Sequence, residues 1–276
     1  MRIIFSRKGF DSSAGGASSP LLDDRPISLP IPTKMPSPTR YGNLPSEIVE
    51  LVVDLTKGRI GPDCFCHLDP DVDGRLLPRL AGWRGTLGQV SSAQSHLANK
   101  HVGVGDLFIF WGLYRPVVRA SNGQWVYKGS PEHRIFGWLQ VDEVLNVGTN
   151  PTLVIGTHPW LQSHPHISSG WSPNNTVYVA KQKLDLAGLD SNLAGYGVFK
   201  RGYRLTAPSS GRPSVWAPPR WLDPNRGGTG LTYNPPERWQ SDGILSAACR
   251  GQEFVADVGG RPDAIHWVKE LLSGAY

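Results

Sequence analysis

Glycine and proline recur so often along this chain that few stretches remain in which three turns of helix can form without interruption. There are 32 glycines and 24 prolines in 276 residues, against a usual combined share of roughly 12%. A chain so punctuated is either disordered or folded as many short extended pieces joined by turns. Ten Trp, eight Tyr and eight Phe decide between the two, because disordered chains are poor in large apolar rings. A β-rich α+β fold with a few helices follows. No heptad or longer repeat is present, and no linker divides two cores, so a single domain over 1–276 is expected.

The apolar opening Met1–Phe5 reads as a central strand, followed by a turn-rich loop over 9–20. Pro26–Pro32 reads as an extended edge, since its prolines cannot donate to a ladder. Residues 33–45 read as a surface excursion. A first helix is expected from Ser46, capped by that serine, over 46–53. A second is expected over Gln89–Lys100, from the spacing of Val90, Ala93, Leu97 and Ala98. Strands are expected over 104–112, 124–127, 135–141, 176–180 and 252–256, with Asn122-Gly123 turning between two of them. Asp263–Leu272 is an amphipathic C-terminal helix.

Several classes drop out. No run of ~18 apolar residues exists, so no membrane span is expected. The N-terminus turns charged too soon for a secretion signal, which points to the cytoplasm. Three cysteines cannot build a disulfide framework. No Gly-x-Ser-x-Gly elbow, dinucleotide fingerprint, kinase signature or zinc-deaminase signature occurs. A net charge of +5 permits a polyanionic partner without demanding one.

Three segments and a scattered set of tryptophans carry residues able to do chemistry. In Ser6-Arg7-Lys8-Gly9-Phe10-Asp11-Ser12, cations and an acid stand where a strand meets a glycine loop. Arg7 and Lys8 suit a phosphate there, and Asp11 and Ser12 suit a sugar hydroxyl. A plain surface turn with an Arg7–Asp11 ion pair is the simpler alternative. In Cys64-Phe65-Cys66-His67-Leu68-Asp69-Pro70-Asp71, an extended backbone would turn His67, Asp69 and Asp71 to one side. That set suits a general base beside an acid, or a divalent metal completed by a distant imidazole from His164 or His166. The helix expected at Gln89 would align Gln89, Ser92 and His96, and Gln94 adds another amide able to read base edges. Trp83, Trp111, Trp138, Trp216 and Trp221 offer rings to stack bases, with Arg115 among the neighbouring guanidinium groups. More rings are present than one core needs.

The opening Met1–Ser12, His67-Leu68-Asp69-Pro70-Asp71, Gly88-Gln89 with Ala93–Leu97, Gly105–Phe110, His164-Pro165-His166, Trp216-Ala217-Pro218 and Gln252–Val255 occur in that order. Together they resemble the nucleotide modification associated domain 3 family over nearly the whole chain. The resemblance implies a role in prokaryotic or phage systems that make or respond to modified DNA bases. Its implied partners are a nucleotide or DNA and other base-modification proteins. The motif positions it carries over are Arg7, Lys8, Asp11, His67, Asp69, Asp71, Gln94, His96, His166 and Glu253. Leu87 stands where the family has an aromatic residue, which weakens an inferred ring contact.

Gly105–Phe110 followed by Phe136–Val141 is also similar to paired strands of PUA-like barrels, which implies a barrel-like sheet and a reader of modified bases holding its ligand near Arg115. The leading expectation is a protein that binds a nucleotide or base and modifies it. Its pocket is expected between the Arg7–Asp11 loop and the His67–Asp71 segment, with His67, Asp69, Asp71 and Asp11 as catalytic groups. Arg7, Lys8, Ser12, Gln94, His96, Arg115 and His166 are expected to bind the nucleotide. The rivals are the PUA-like reader and an enzyme whose divalent metal sits on His67, Asp69 and His166.

Overall fold

The apolar opening of the chain forms a strand that runs through the middle of a sheet. A computed structural model describes residues 1–34, 37–167, 170–186, 192–249 and 251–273. In chain order it contains β1 (Arg2–Arg7), β2 (Ser19–Leu22), β3 (Arg25–Pro26), β4 (Ile31–Pro32), α1 (Ser46–Leu55), β5 (Cys66–His67) and β6 (Thr86–Gln89). Then come α2 (Ser91–Asn99), β7 (Leu107–Arg119), β8 (Trp125–Tyr127), β9 (Glu132–Asn146) and α3 (Thr152–Thr157). The chain finishes with β10 (Thr176–Ala180), β11 (Tyr196–Val198), β12 (Val215–Trp216), β13 (Leu245–Ser246), β14 (Glu253–Asp257) and α4 (Pro262–Ser273). Among the described residues no helix is long and apolar enough to cross a membrane.

Ten strands form one sheet with the path β14-β1-β7-β9-β10-β6, to which β2, β3, β8 and β11 attach. β1 runs antiparallel to β14 and parallel to β7. The pairs β7–β9, β9–β10 and β10–β6 are antiparallel. The sheet is therefore mixed, as one of the two expected forms required. The other form is corrected: the sheet is not closed into a barrel, because β6 and β14 end the path without pairing to each other. These two end strands meet through side chains instead, where Gln89 Nε2 donates to Glu253 Oε1.

Both faces of the sheet are buried. Ile3 and Phe5 on β1 join one core cluster with Ile109, Trp216 and Trp267, while Ile4 joins the other with Phe108, Leu139 and Tyr178. This alternation is the two-residue period of a strand, and a strand covered on both sides is apolar at successive positions. Helix α4 seals the first face with Ala264, Trp267, Val268, Leu271 and Leu272. At ~1.5–3 kcal/mol for each large side chain buried, this packing outweighs any intrinsic reluctance to be helical. The Phe5 and Trp267 rings stack at 6.0 Å.

Several local expectations are corrected. Eight of the ten tryptophans are buried, so the core uses the rings that looked surplus. Residues 33–45 are not merely a surface excursion: Thr39, Tyr41 and Leu44 are buried, and Tyr41 Oη donates to the Pro30 carbonyl. Pro36, one of the prolines behind that expectation, lies outside the described residues. Helix α1 follows Pro45, and no side chain caps it. Gln89 ends β6 rather than starting α2, which removes the proposed Gln89–Ser92–His96 helix face.

Candidate functional site

The chemistry-bearing residues gather where β5, β6 and the end of β1 approach one another. His67 ends β5, which pairs with Ile31 and Pro32 of β4. The strand goes no further because the Asp69 N–H turns back onto the His67 carbonyl at 3.0 Å. Asp69 is thereby directed to β6, where its Oδ1 accepts the Gly88 N–H at 2.6 Å. His164 Nε2 lies 3.4 Å from the same oxygen. The other oxygen, Oδ2, lies 3.9 Å from His67 Nε2 and 3.9 Å from His166 Nε2. Ligand-capable atoms of His67, Asp69 and His166 all fall within 4.8 Å of one another.

A second layer fixes His166. It sits on a single 3-10 turn, Pro165–Ile167, and its ring lies flat on Trp171 with centroids 4.5 Å apart. Its Nδ1 donates to Asn175 Oδ1 at 2.8 Å, and Asn175 Nδ2 donates to the His166 carbonyl at 2.8 Å. Gly88 leaves room for the ring: a Cβ there would fall 2.2 Å from a His166 ring carbon. The His166 N–H is donated to His164 Nδ1 at 3.2 Å, which leaves the proton of a neutral His164 on Nε2, facing Asp69.

Beside this group lies a buried acid–base cluster. Lys8 Nζ is 3.4 Å from Glu253 Oε1. The same oxygen accepts Ser6 Oγ at 2.9 Å and Gln89 Nε2. Glu253 Oε2 is buried without a hydrogen-bond partner. Burial raises the Glu253 pKa, with the Lys8 charge acting against it.

Burial opposes ionisation of Asp69 as well. There the hydrogen bond of the His164 side chain, followed by the Lys8 charge and the neighbouring histidines, prevails, and its carboxyl is held well below the usual carboxylate range. Burial drives His67 down to about 4, aided by the neighbouring His164 and Lys8 and opposed by Asp69. It drives His166 down to about 3. At neutral pH these two imidazoles are therefore neutral, and both face Oδ2 of the Asp69 carboxylate.

The structure assembles some of the expected residues and separates others. His67, Asp69, His166 and Lys8 come together. Arg7 and Asp11 form the simpler alternative, an ion pair of 2.6 Å. Asp11 Oδ1 also accepts Ser13 N, Ser13 Oγ and Ala14 N, so this acid builds its own turn, and Ser12 is exposed on it. Asp71 does not converge with His67 and Asp69, because the segment is not extended. Asp71 is instead held by both terminal nitrogens of Arg79, at 2.7 and 2.6 Å. Gln94 is buried and accepts the Tyr178 hydroxyl at 3.1 Å, and His96 bonds Thr232 Oγ1 at 3.1 Å. Arg115 donates to the Gly129 carbonyl and lies over Tyr127. Cys66 is buried, its thiol pushed up to about 12 by that burial.

Sequence reasoning did not find Trp171, Asn175 or the spatial need for Gly88. Their part in the site comes from the fold, and no spacing signals it. A cavity of about 810 Å³ adjoins the cluster, lined by Gly9 from the turn after β1 and by Leu68, Asp69 and Pro70.

Fold and site together define a class: a sheet-rich α+β protein with a buried imidazole–carboxylate centre at the seam between the ends of an open mixed sheet. A family model described as nucleotide modification associated domain 3 matches residues 2–257. The chain belongs to that family, whose name associates it with nucleotide modification. No curated protein and no solved structure matches it.

Proposed function

We propose that the protein binds a nucleotide, or a base of DNA, in the cavity beside Asp69 and modifies it at the His67–Asp69–His166 centre. The observation that carries this reading is the meeting of two segments sixty positions apart: Gly9 and Asp69 line one cavity, and the Lys8 charge bears on both His67 and Asp69. The cavity's size lies within the ~300–1,000 Å³ of small-molecule sites. Leu29, Pro30, Leu68 and Pro70 give it apolar walls suited to a base. Lys200 brings a cation suited to a phosphate, and Arg25 and Arg75, paired with Glu47 and Asp73 of the same lining, add two more. The family's name supports the substrate class, and the cluster supplies groups able to move a proton or polarise a bond.

Calorimetric titration of the protein with nucleoside monophosphates, triphosphates and short DNA tests the binding half. Saturable binding to one of these is expected, weakened at least tenfold by Lys200→Ala combined with Arg75→Ala. Binding to none of them, or binding unaffected by those changes, would contradict the assignment of the cavity.

A further inference from the structure

The two oxygens of Asp69 have different tasks. Oδ1 is held by the Gly88 N–H and faces His164. Oδ2 faces two imidazole nitrogens at 3.9 Å, too far for hydrogen bonds. The nitrogen of His166 has a lone pair to offer. The Nδ1 proton of His166 is committed to Asn175, so its Nε2 is left as a bare donor of electrons toward Asp69. An imidazole locked by an oxygen on one nitrogen and open on the other is the usual state of a metal-ligating histidine. The separations exceed those of ligands around one ion at ~2.0–2.2 Å bonds, so binding a metal requires these side chains to draw together.

A second observation lies beside that triangle. Glu253 Oε2 is a buried polar atom without a hydrogen-bond partner among the described residues, and His164 Nε2 reaches only Asp69, at 3.4 Å. Native interiors rarely leave such atoms unsatisfied unless another group belongs nearby. The neighbouring acids are already engaged: Asp71 is spent on Arg79, and Glu253 has Lys8.

The geometry points to a divalent transition-metal site with His67, Asp69 and His166 as its ligands. His164 and the Gly88 N–H orient the carboxylate, and Asn175 and Trp171 orient the His166 ring. Two nitrogens and one oxygen suit zinc, ferrous iron or manganese, whereas magnesium and calcium favour oxygen alone. Three protein ligands leave coordination positions open, the pattern of a catalytic rather than a structural centre. A water, or an oxygen or nitrogen of the substrate, completes the shell. The use of those positions for nucleotide chemistry rests on the function proposed above; the binding of metal does not.

Elemental analysis of the full chain tests this. The protein is purified without a chelating resin, loaded in turn with zinc, anaerobic ferrous iron and manganese, and dialysed. One ion per chain is expected with at least one of the three, lost in His67→Ala and His166→Ala and retained in Cys64→Ser. Asn175→Ala, which leaves all three ligands in place, is expected to weaken metal affinity ~10–100-fold. Wild-type protein that holds none of the three metals overturns the site, and so does undiminished metal in folded His166→Ala. Metal bound without affinity for any nucleotide would keep this site and remove the function proposed for it. Nucleotide bound by a protein that takes up none of the three metals would do the reverse.

Discussion

Gly88 shows how one missing side chain organises the site. Its N–H holds Asp69 while its bare Cα admits the His166 ring. Gly88→Ala would put a Cβ 2.2 Å from that ring, and the ring must move. Overpacking of this kind costs ~1–3 kcal/mol. We predict a Tm lowered by several degrees and loss of whatever the His67–Asp69–His166 group binds. Gly156→Ala serves as a control, because no atom stands within 4 Å of a Cβ there. Equal melting temperatures for Gly88→Ala and wild type would contradict this account of the site. At this scale the sequence was partly readable. His67 and Asp69 stood out because they are two positions apart. Asp71 looked equivalent only under the assumption of an extended backbone, which the turn from Asp69 to the His67 carbonyl breaks. Nothing in a linear string distinguishes the role of Asn175 from that of its neighbour Asn174.

At the scale of elements, long apolar runs were the most legible. The strands around 107–110, 135–141 and 176–180 and the C-terminal helix lie where their patterns put them. The β6–α2 boundary was not legible, because a chain that changes from strand to helix within two residues carries both periods at once. Strand packing also makes a prediction about pH. His133 near the start of β9 accepts Trp216 Nε1 of β12 at 2.9 Å. Burial lowers its pKa to about 3, helped by Arg7 and opposed by Asp11. Its unfolded value is near 6.5, so the unfolded chain takes up a proton that the folded one refuses. The stability this confers is fully present above pH ~6.5 and is lost as pH falls toward 3, at up to ~1.4 kcal/mol per pH unit. His133→Asn keeps an acceptor for Trp216 without the titration. Wild-type stability, measured by urea unfolding between pH 7 and 4.5, should therefore fall more steeply than that of the variant. Parallel curves would show that His133 does not contribute in this way.

At the scale of the molecule, the open sheet brings its first and last strands of the path close enough for Gln89 and Glu253 to touch. The end of β1 delivers Lys8 to the same seam. A pocket between the front turn and the His67 segment was expected from their chemistry; of that turn, Gly9 lines a cavity with Asp69, while Arg7, Lys8 and Asp11 do not line it. Lys8 and Gly9 reach the site, whereas Arg7 and Asp11 serve their own loop. Long-range placement of this kind is set by strand order, which residue spacing does not encode. Family membership and a seam of ionisable groups beside a cavity support the function proposed above, in which the chain alters a nucleotide or a DNA base at His67, Asp69 and His166. The most direct measurement is mass spectrometry of nucleosides from the DNA and nucleotide pools of cells carrying either wild-type protein or Asp69→Asn. The account predicts a nucleoside of changed mass with the wild type that is missing with the variant. Identical nucleoside profiles from the two, with both proteins folded and present, would contradict it.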